Sequence, residues 1–232
     1  GNTNVLFSNY VTSTPYPAFV AEIAATGTSH TIPLVIPPGQ AVLANDVNIV
    51  MSRINSITSV ASASGYSAAG SKVADSVVSG DILWKAASGG ETSVTLLYSA
   101  SGNVQAQFLV MRGLTGAPQL DVSDSNTIGG SSVTSLATGS GSGVTNTDVP
   151  AFAVASWMSN GALGASVSYS DSFLQGRAAI TEQTAVRVAI KPLSSLVANK
   201  STLTWTTAGT RAVGRMTIFR STPSGAFLPF FM

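Results

Sequence analysis

The chain has no cysteine and only one histidine, His30, in 232 residues. The first absence excludes disulfides, thiol nucleophiles and cysteine-ligated zinc. The second leaves a serine-based triad a single possible base, and no Gly-x-Ser-x-Gly turn accompanies it. His30 therefore reads as a structural or surface residue. Charge is scarce too: charged residues make up 9% of the chain, against roughly a quarter in an ordinary soluble domain. Net charge is +1 with no basic or acidic run, so nucleic-acid binding has no electrostatic footprint. No stretch approaches the roughly 20 apolar residues of a membrane helix, and no membrane span is expected. Gly1-Asn-Thr-Asn-Val5 has neither a charged nor an apolar region of the kind that opens a signal peptide.

What is present is apolar and small. Hydrophobic residues make up 44%, glycine numbers 22, and Ser, Thr and Ala fill much of the rest. A surface so poor in charge suits a protein that works inside an assembly, since a free monomer usually keeps more charge for solubility.

The pattern that organises the chain lies between Asp81 and Gly113. Around Trp84, from Val94 to Tyr98 and from Val104 to Val110, apolar residues recur at a period of two. Turns are expected at Ser88-Gly-Gly-Glu91 and Ser99-Ala-Ser-Gly102. Three short antiparallel strands in sequence follow from this. Further strands are expected at Ser29–Ile36 and Val47–Ser52, the latter with Val47, Ile49 and Met51 on one face. The second half echoes the first at an offset of about 102 to 110 residues. Asp148–Trp157 echoes Asp46–Ser52, Ala185–Lys191 echoes the Trp84 strand with Arg187 and Lys191 facing out, Thr202–Trp205 echoes Thr92–Thr95, and Arg211–Arg220 echoes Asn103–Arg112.

The expected fold is all-β: an antiparallel two-sheet, jelly-roll-like β-sandwich with two pseudo-repeated halves and extended termini. One domain spans 29–222, with halves at about 29–117 and 148–222 joined by a Gly/Ser/Thr-rich loop at 121–147. Residues 1–28 read as an extended arm, with an edge strand as the alternative, and 223–232 as an apolar tail.

Thr31-Ile-Pro-Leu-Val-Ile-Pro-Pro-Gly39, Asn45-Asp46-Val-Asn-Ile-Val50, Trp84-Lys85, Glu91–Thr95, Phe108–Gly113, Ala185–Ile190 and Thr217-Ile-Phe219 resemble the strand-and-turn pattern of jelly-roll, lectin-like sandwich domains in bacteriophage structural proteins. The resemblance covers roughly residues 29–221. Such domains also recur in some bacterial surface proteins, so the resemblance implies the fold and a virion or surface setting, and it carries no functional residue with it.

Residue by residue, the chemistry is thin. The glutamates are Glu22, Glu91 and Glu182, without the close Glu/Asp spacing of lectin-like glucanases. Asp121-Val-Ser-Asp124-Ser-Asn126 offers oxygens but lacks the terminal glutamate of a calcium loop, and reads as an Asx-capped turn. Gly139–Gly143 is not followed by Gly-Lys-Ser/Thr. Trp84, Trp157 and Trp205 sit in strand patterns, which points to packing rather than to a sugar platform. Asn199-Lys-Ser201 matches a glycosylation acceptor only as a weak pattern. Neither a cofactor nor a metal site is expected.

Two apolar ends stand out. Phe227-Leu-Pro-Phe-Phe-Met232 carries no charge and would be an aggregation liability if exposed. Phe7, Tyr10, Tyr16 and Phe19 pose the same question. Phe7, Tyr10, Tyr16, Phe19, Phe227, Leu228, Phe230, Phe231 and Met232 are the candidate subunit contacts. The expected function is that of a non-enzymatic virion structural protein, decorating or building a phage capsid or tail. Its partners would be other virion subunits, most simply copies of itself, with a trimer favoured. A carbohydrate-binding adhesin for a host-surface glycan is the alternative, and a hydrolase on the same fold ranks third.

Overall fold

In a computed structural model of the chain, Val94, Leu96 and Tyr98 are buried while Ser93, Thr95 and Leu97 are exposed. This is the alternation of a strand that faces a core on one side. The structure describes residues 16–222 apart from 35, 37, 57, 115, 129–133, 140, 162–167, 176–184 and 206–210. Among the described residues there is no helix, and every strand pairing is antiparallel.

The strands of the first half are β1 (Tyr16–Pro33), β2 (Val47–Ile54), β3 (Ala61–Ser62), β4 (Ser67–Ala68), β5 (Val73–Ala74), β6 (Ser79–Ala86) and β7 (Ser93–Arg112). They form one sheet in the order β1-β7-β2-β6-β4, with β3 on β7 and β5 on β6. The second half holds β8 (Pro118–Ile128), β9 (Ser135–Ala137), β10 (Val144–Thr145), β11 (Ala151–Ser159), β12 (Ser168–Tyr169), β13 (Leu174–Gln175), β14 (Val186–Leu193), β15 (Ala198–Asn199), β16 (Thr202–Thr204) and β17 (Ala212–Ser221). Its main sheet runs β13-β14-β11-β17-β8, beside a small β12-β16-β9 sheet and a β10-β15 ladder. Among the described residues no sheet closes into a barrel. A jelly roll would carry the chain back and forth between its sheets. Here the large sheets use residues 16–112 and 118–221 in turn.

The two large sheets share an apolar layer. Val47, Ile49, Met51, Ile82, Leu109 and Met111 of the first pack with Phe152, Val154, Met158, Val186, Val188, Ile190, Val213 and Phe219 of the second. This is compatible with a β-sandwich. Gly80 is what lets them approach: a Cβ there would lie 2.6 Å from Met158 Sδ and 2.8 Å from Val213 Cγ2. The outer faces are covered as well. Beyond a register irregularity between Gly27 and Ser29, β1 and β7 supply Ile32, Val94, Leu96 and Tyr98 to a cluster with Val50, Ile54, Leu83, Phe108 and Val110. On the other side, Leu136, Leu203 and Trp205 pack over Ala151, Ala153, Ala155, Trp157, Met216 and Ile218. All eight residues of β2 and all nine of β11 are consequently buried.

Several expectations are corrected. The three-strand meander is absent, because β2 lies between β6 and β7. Ser99–Gly102 is no turn but part of the 20-residue strand β7. Gly102 serves there by lacking a side chain, since its Cβ would lie 2.8 Å from Ile54 Cγ1. The 121–147 segment is not all loop: β8 runs to Ile128, and β9 and β10 follow among its described residues. Its Ser/Thr/Asn composition suggested a loop, but β17 supplies a full ladder of partners, which propensity alone does not register. Residues 16–28 are no free arm, since β1 pairs with β7 from Tyr16 onward. Arg187 does not face out. It is 3% exposed, because the outer face of its sheet is roofed by the small one.

Candidate functional site

Of the nine candidate contact residues, Phe7, Tyr10, Phe227, Leu228, Phe230, Phe231 and Met232 lie outside the described residues. Tyr16 and Phe19 lie in β1, opposite Arg112 and Val110. What the fold does place is the first and last described residues, Tyr16 and Thr222. Tyr16 is level with Arg112 at the end of β7. Thr222 follows β17 and donates to the Ala117 carbonyl through its backbone N–H at 2.7 Å and its hydroxyl at 2.6 Å. β2 and β11 both start at this end, opposite Met111 and Arg220. The sheets run the same way, because Trp84 meets Phe219 near it (5.4 Å between rings) and Gly80 faces Met158 at the far end. Tyr16, Thr222 and the loops leading into both central strands thus gather at one end. There Leu43 is 51% exposed, Leu196 59%, Val149 38% and Val197 37%.

Ion pairs brace this end. Arg112 grips Asp46 with Nε to Oδ1 at 2.9 Å and Nη2 to Oδ2 at 2.6 Å, and Asp46 Oδ2 also accepts the Leu43 N–H at 2.8 Å. In the second half, Arg220 reaches Asp121 at 3.3 Å and Asp148 at 3.5 Å. Asp121 also accepts the Thr147 backbone N–H at 2.7 Å and the Thr147 hydroxyl. Its carboxylate is thus committed to structure. Asp124 accepts the Ser125 N–H.

The other singled-out residues do not converge on chemistry. His30 tilts against the Tyr98 ring at 6.0 Å. Glu91 caps the Ser88 and Gly89 N–H groups and pairs with Lys85 at 3.0 Å; these partners hold its carboxyl below the usual range against the opposing effect of burial. Among the described residues no three His, Cys, Asp or Glu side chains come together as metal ligands would. Trp157 and Trp205 are buried and Trp84 is half-buried against Phe219. Asn199 is 1% exposed and its amide donates to the Val197 carbonyl at 2.7 Å, so the glycosylation pattern is closed in the folded chain.

A polar seam between the sheets went unread in the sequence. Gln105 Oε1 accepts the Ala185 N–H at 2.6 Å and Gln107 Nε2 donates to the Val186 carbonyl at 3.3 Å. Arg215, 2% exposed, donates from Nη2 to the Ala69 carbonyl at 2.5 Å. Arg53 is 6% exposed, and burial pushes its guanidinium down to about 10. Alternating polar residues read as solvent-facing until the covering sheet is known.

Asp81, 6% exposed, accepts the Ala61 N–H at 3.0 Å. Burial pushes its carboxyl up, opposed by that hydrogen bond and by Lys72 and Arg215. A raised acid binds its proton more tightly folded than unfolded. The stability this supplies is fullest below the ordinary value of 3.8 and is lost as pH rises through the folded value. Asp81→Asn cannot ionise, so its melting temperature should gain on the wild type as pH rises above the ordinary carboxylate value of 3.8. A pH-independent difference would show that burial does not govern this carboxyl.

Comparison with models of known protein families, with curated proteins and with solved structures found no match.

Proposed function

We infer that the chain is a non-enzymatic structural subunit, of the kind that decorates or builds a bacteriophage capsid or tail, and that it works by burying surface against neighbouring subunits. One observation carries this reading. Tyr16 and Thr222, the first and last described residues, lie at the end where Leu43, Val149, Leu196 and Val197 stand exposed. The segment that follows Thr222 holds the uncharged Phe227–Met232 stretch. Exposed apolar side chains at the end from which an apolar stretch continues in sequence suit it to subunit contact, and repeated contacts of this kind sum by multivalency. Truncation after Ser224 tests it. The shortened protein should keep its cooperative unfolding and form a smaller species than the full chain. If cooperativity is lost instead, the segment belongs to the chain's own core and the reading fails.

Within this reading the two large sheets are two copies of one unit. Their orders, β1-β7-β2-β6 and β8-β17-β11-β14, correspond strand for strand. The Asp46–Arg112 pair has its counterpart in Asp148–Arg220. A carbohydrate-binding module is the second reading. It calls for exposed aromatic faces, and the packed tryptophans give it no support.

A further inference from the structure

We propose that Asn160-Gly161 is a self-modification site, where the Asn160 side chain cyclises onto the Gly161 nitrogen and water then opens the ring to aspartate and isoaspartate. The site stands apart from the assembly reading above. It is the one Asn-Gly step in the chain. A glycine after asparagine has no Cβ to keep its nitrogen from the side-chain amide, and its backbone is free to turn into the attack.

The fold leaves this step open and primes it. β11 ends at Ser159, opposite Ala212 of β17, so the Asn160–Gly161 peptide lies just beyond the ladder. Both residues are half-buried and within reach of solvent. The Gly161 N–H makes no hydrogen bond among the described residues, and a Cβ on Gly161 would meet nothing within 4 Å. The attacking nitrogen is therefore neither paired nor hemmed in. The Ser159 hydroxyl, donating to the Gly161 carbonyl at 2.5 Å, holds the glycine close to the strand end. The amide under attack is held from the other side. The Asn160 N–H donates to the Arg211 carbonyl at 3.0 Å, and the Arg211 N–H donates to Asn160 Oδ1 at 2.9 Å. Attack on Cγ drives negative charge onto Oδ1. A backbone donor already aimed at that atom stabilises the tetrahedral intermediate as an oxyanion hole does.

The step balances with water as its only co-reactant. The Gly161 nitrogen gives its proton to solvent and bonds to Asn160 Cγ. The bond from Cγ to the amide nitrogen breaks, and ammonia leaves. Water adding at Cγ of the resulting succinimide gives aspartate. Water adding at the Asn160 main-chain carbonyl gives isoaspartate, with the chain now running through Cγ. Either product sets a negative charge beside Arg211, whose guanidinium pairs with Asp75 at 3.3 Å and so ties the second half to the first. Isoaspartate also lengthens the main chain by one carbon, which takes the paired bonds between Asn160 and Arg211 out of register. In a chain of net charge +1, one such event removes the net charge.

Conversion is followed in the folded full-length chain, held in mildly alkaline buffer and sampled by peptide mass spectrometry and by enzymatic methylation of isoaspartate. The peptide carrying Asn160 should gain about one dalton. It should convert at least about tenfold faster than any other asparagine peptide, with ammonia released in step. Gly161→Ala is the decisive variant. Its Cβ enters open space and Gly161 has no left-handed backbone, so the melting temperature should hold while conversion slows at least about tenfold. Conversion at Asn160 no faster than at the other asparagines, or only once urea has unfolded the chain, overturns the proposal, because the fold then protects the step. So does a Gly161→Ala chain that converts at the wild-type rate, or aspartate formed without isoaspartate, which marks direct hydrolysis of the amide.

Discussion

Trp157→Ala should lower the stability of the fold by about 3–5 kcal/mol, the range for removing a large buried aromatic side chain. Trp157 is fully buried, in the layer between the second large sheet and the small sheet that roofs it. It faces Arg187 and Gly214 across β11, and its Nε1 donates to the Leu136 carbonyl at 2.8 Å. The neighbours cannot collapse into the space. Ala151, Ala153 and Ala155 on the same face are already small, and Gly214 is already in contact, with a Cβ there lying 2.9 Å from the Ala137 carbonyl. The loss is therefore a cavity plus an unmade hydrogen bond. Trp157→Phe keeps most of the packing and should cost about 1–2 kcal/mol. Urea unfolding of the three proteins checks the ranking, and a loss below about 1 kcal/mol for Trp157→Ala would show that the roof is not packed as described.

The second large effect depends on what replaces Arg215. Its guanidinium lies in the layer between the large sheets, with Nη2 on the Ala69 carbonyl and with Nε and Nη1 lacking a hydrogen-bond partner. Burial pushes it below the usual arginine range, opposed by Asp81. Arg215→Ala opens a cavity and takes a cation from the vicinity of a buried carboxylate, and should cost about 3–5 kcal/mol. Arg215→Met refills the volume without the desolvation of a charge and should fall within about 1 kcal/mol of the wild type, or be more stable than it. Equal losses for the two variants would mean that the charge, and not the packing, is what the seam requires.

The fold class was legible because its signal is local. The alternation of Val94, Leu96 and Tyr98 and of Val186, Val188 and Ile190 survives without knowledge of what covers them. The order of the strands was not legible: nothing near Asp81–Gly113 announces that β2 inserts between β6 and β7. The covering layers were not legible either. Gln105, Gln107 and Arg187 look like solvent-facing alternates, and only the second sheet and the small roof above it make them interior. Ser123, Asp124 and Ser125 look like a loop because their strand character comes from β17, more than 80 residues away. Of the candidate site, the sequence marks the apolar ends; that Tyr16 and Ser221 lie at one end of the sheets follows only from the pairing of Tyr16 with Arg112 and of Pro118 with Ser221.

The mass of the full chain in solution, measured by light scattering over a range of concentrations, bears most directly on the claim that this is an assembly subunit. A species of two or more chains, persisting on dilution, is the expected result. A single chain of 23.5 kDa at every concentration would contradict it.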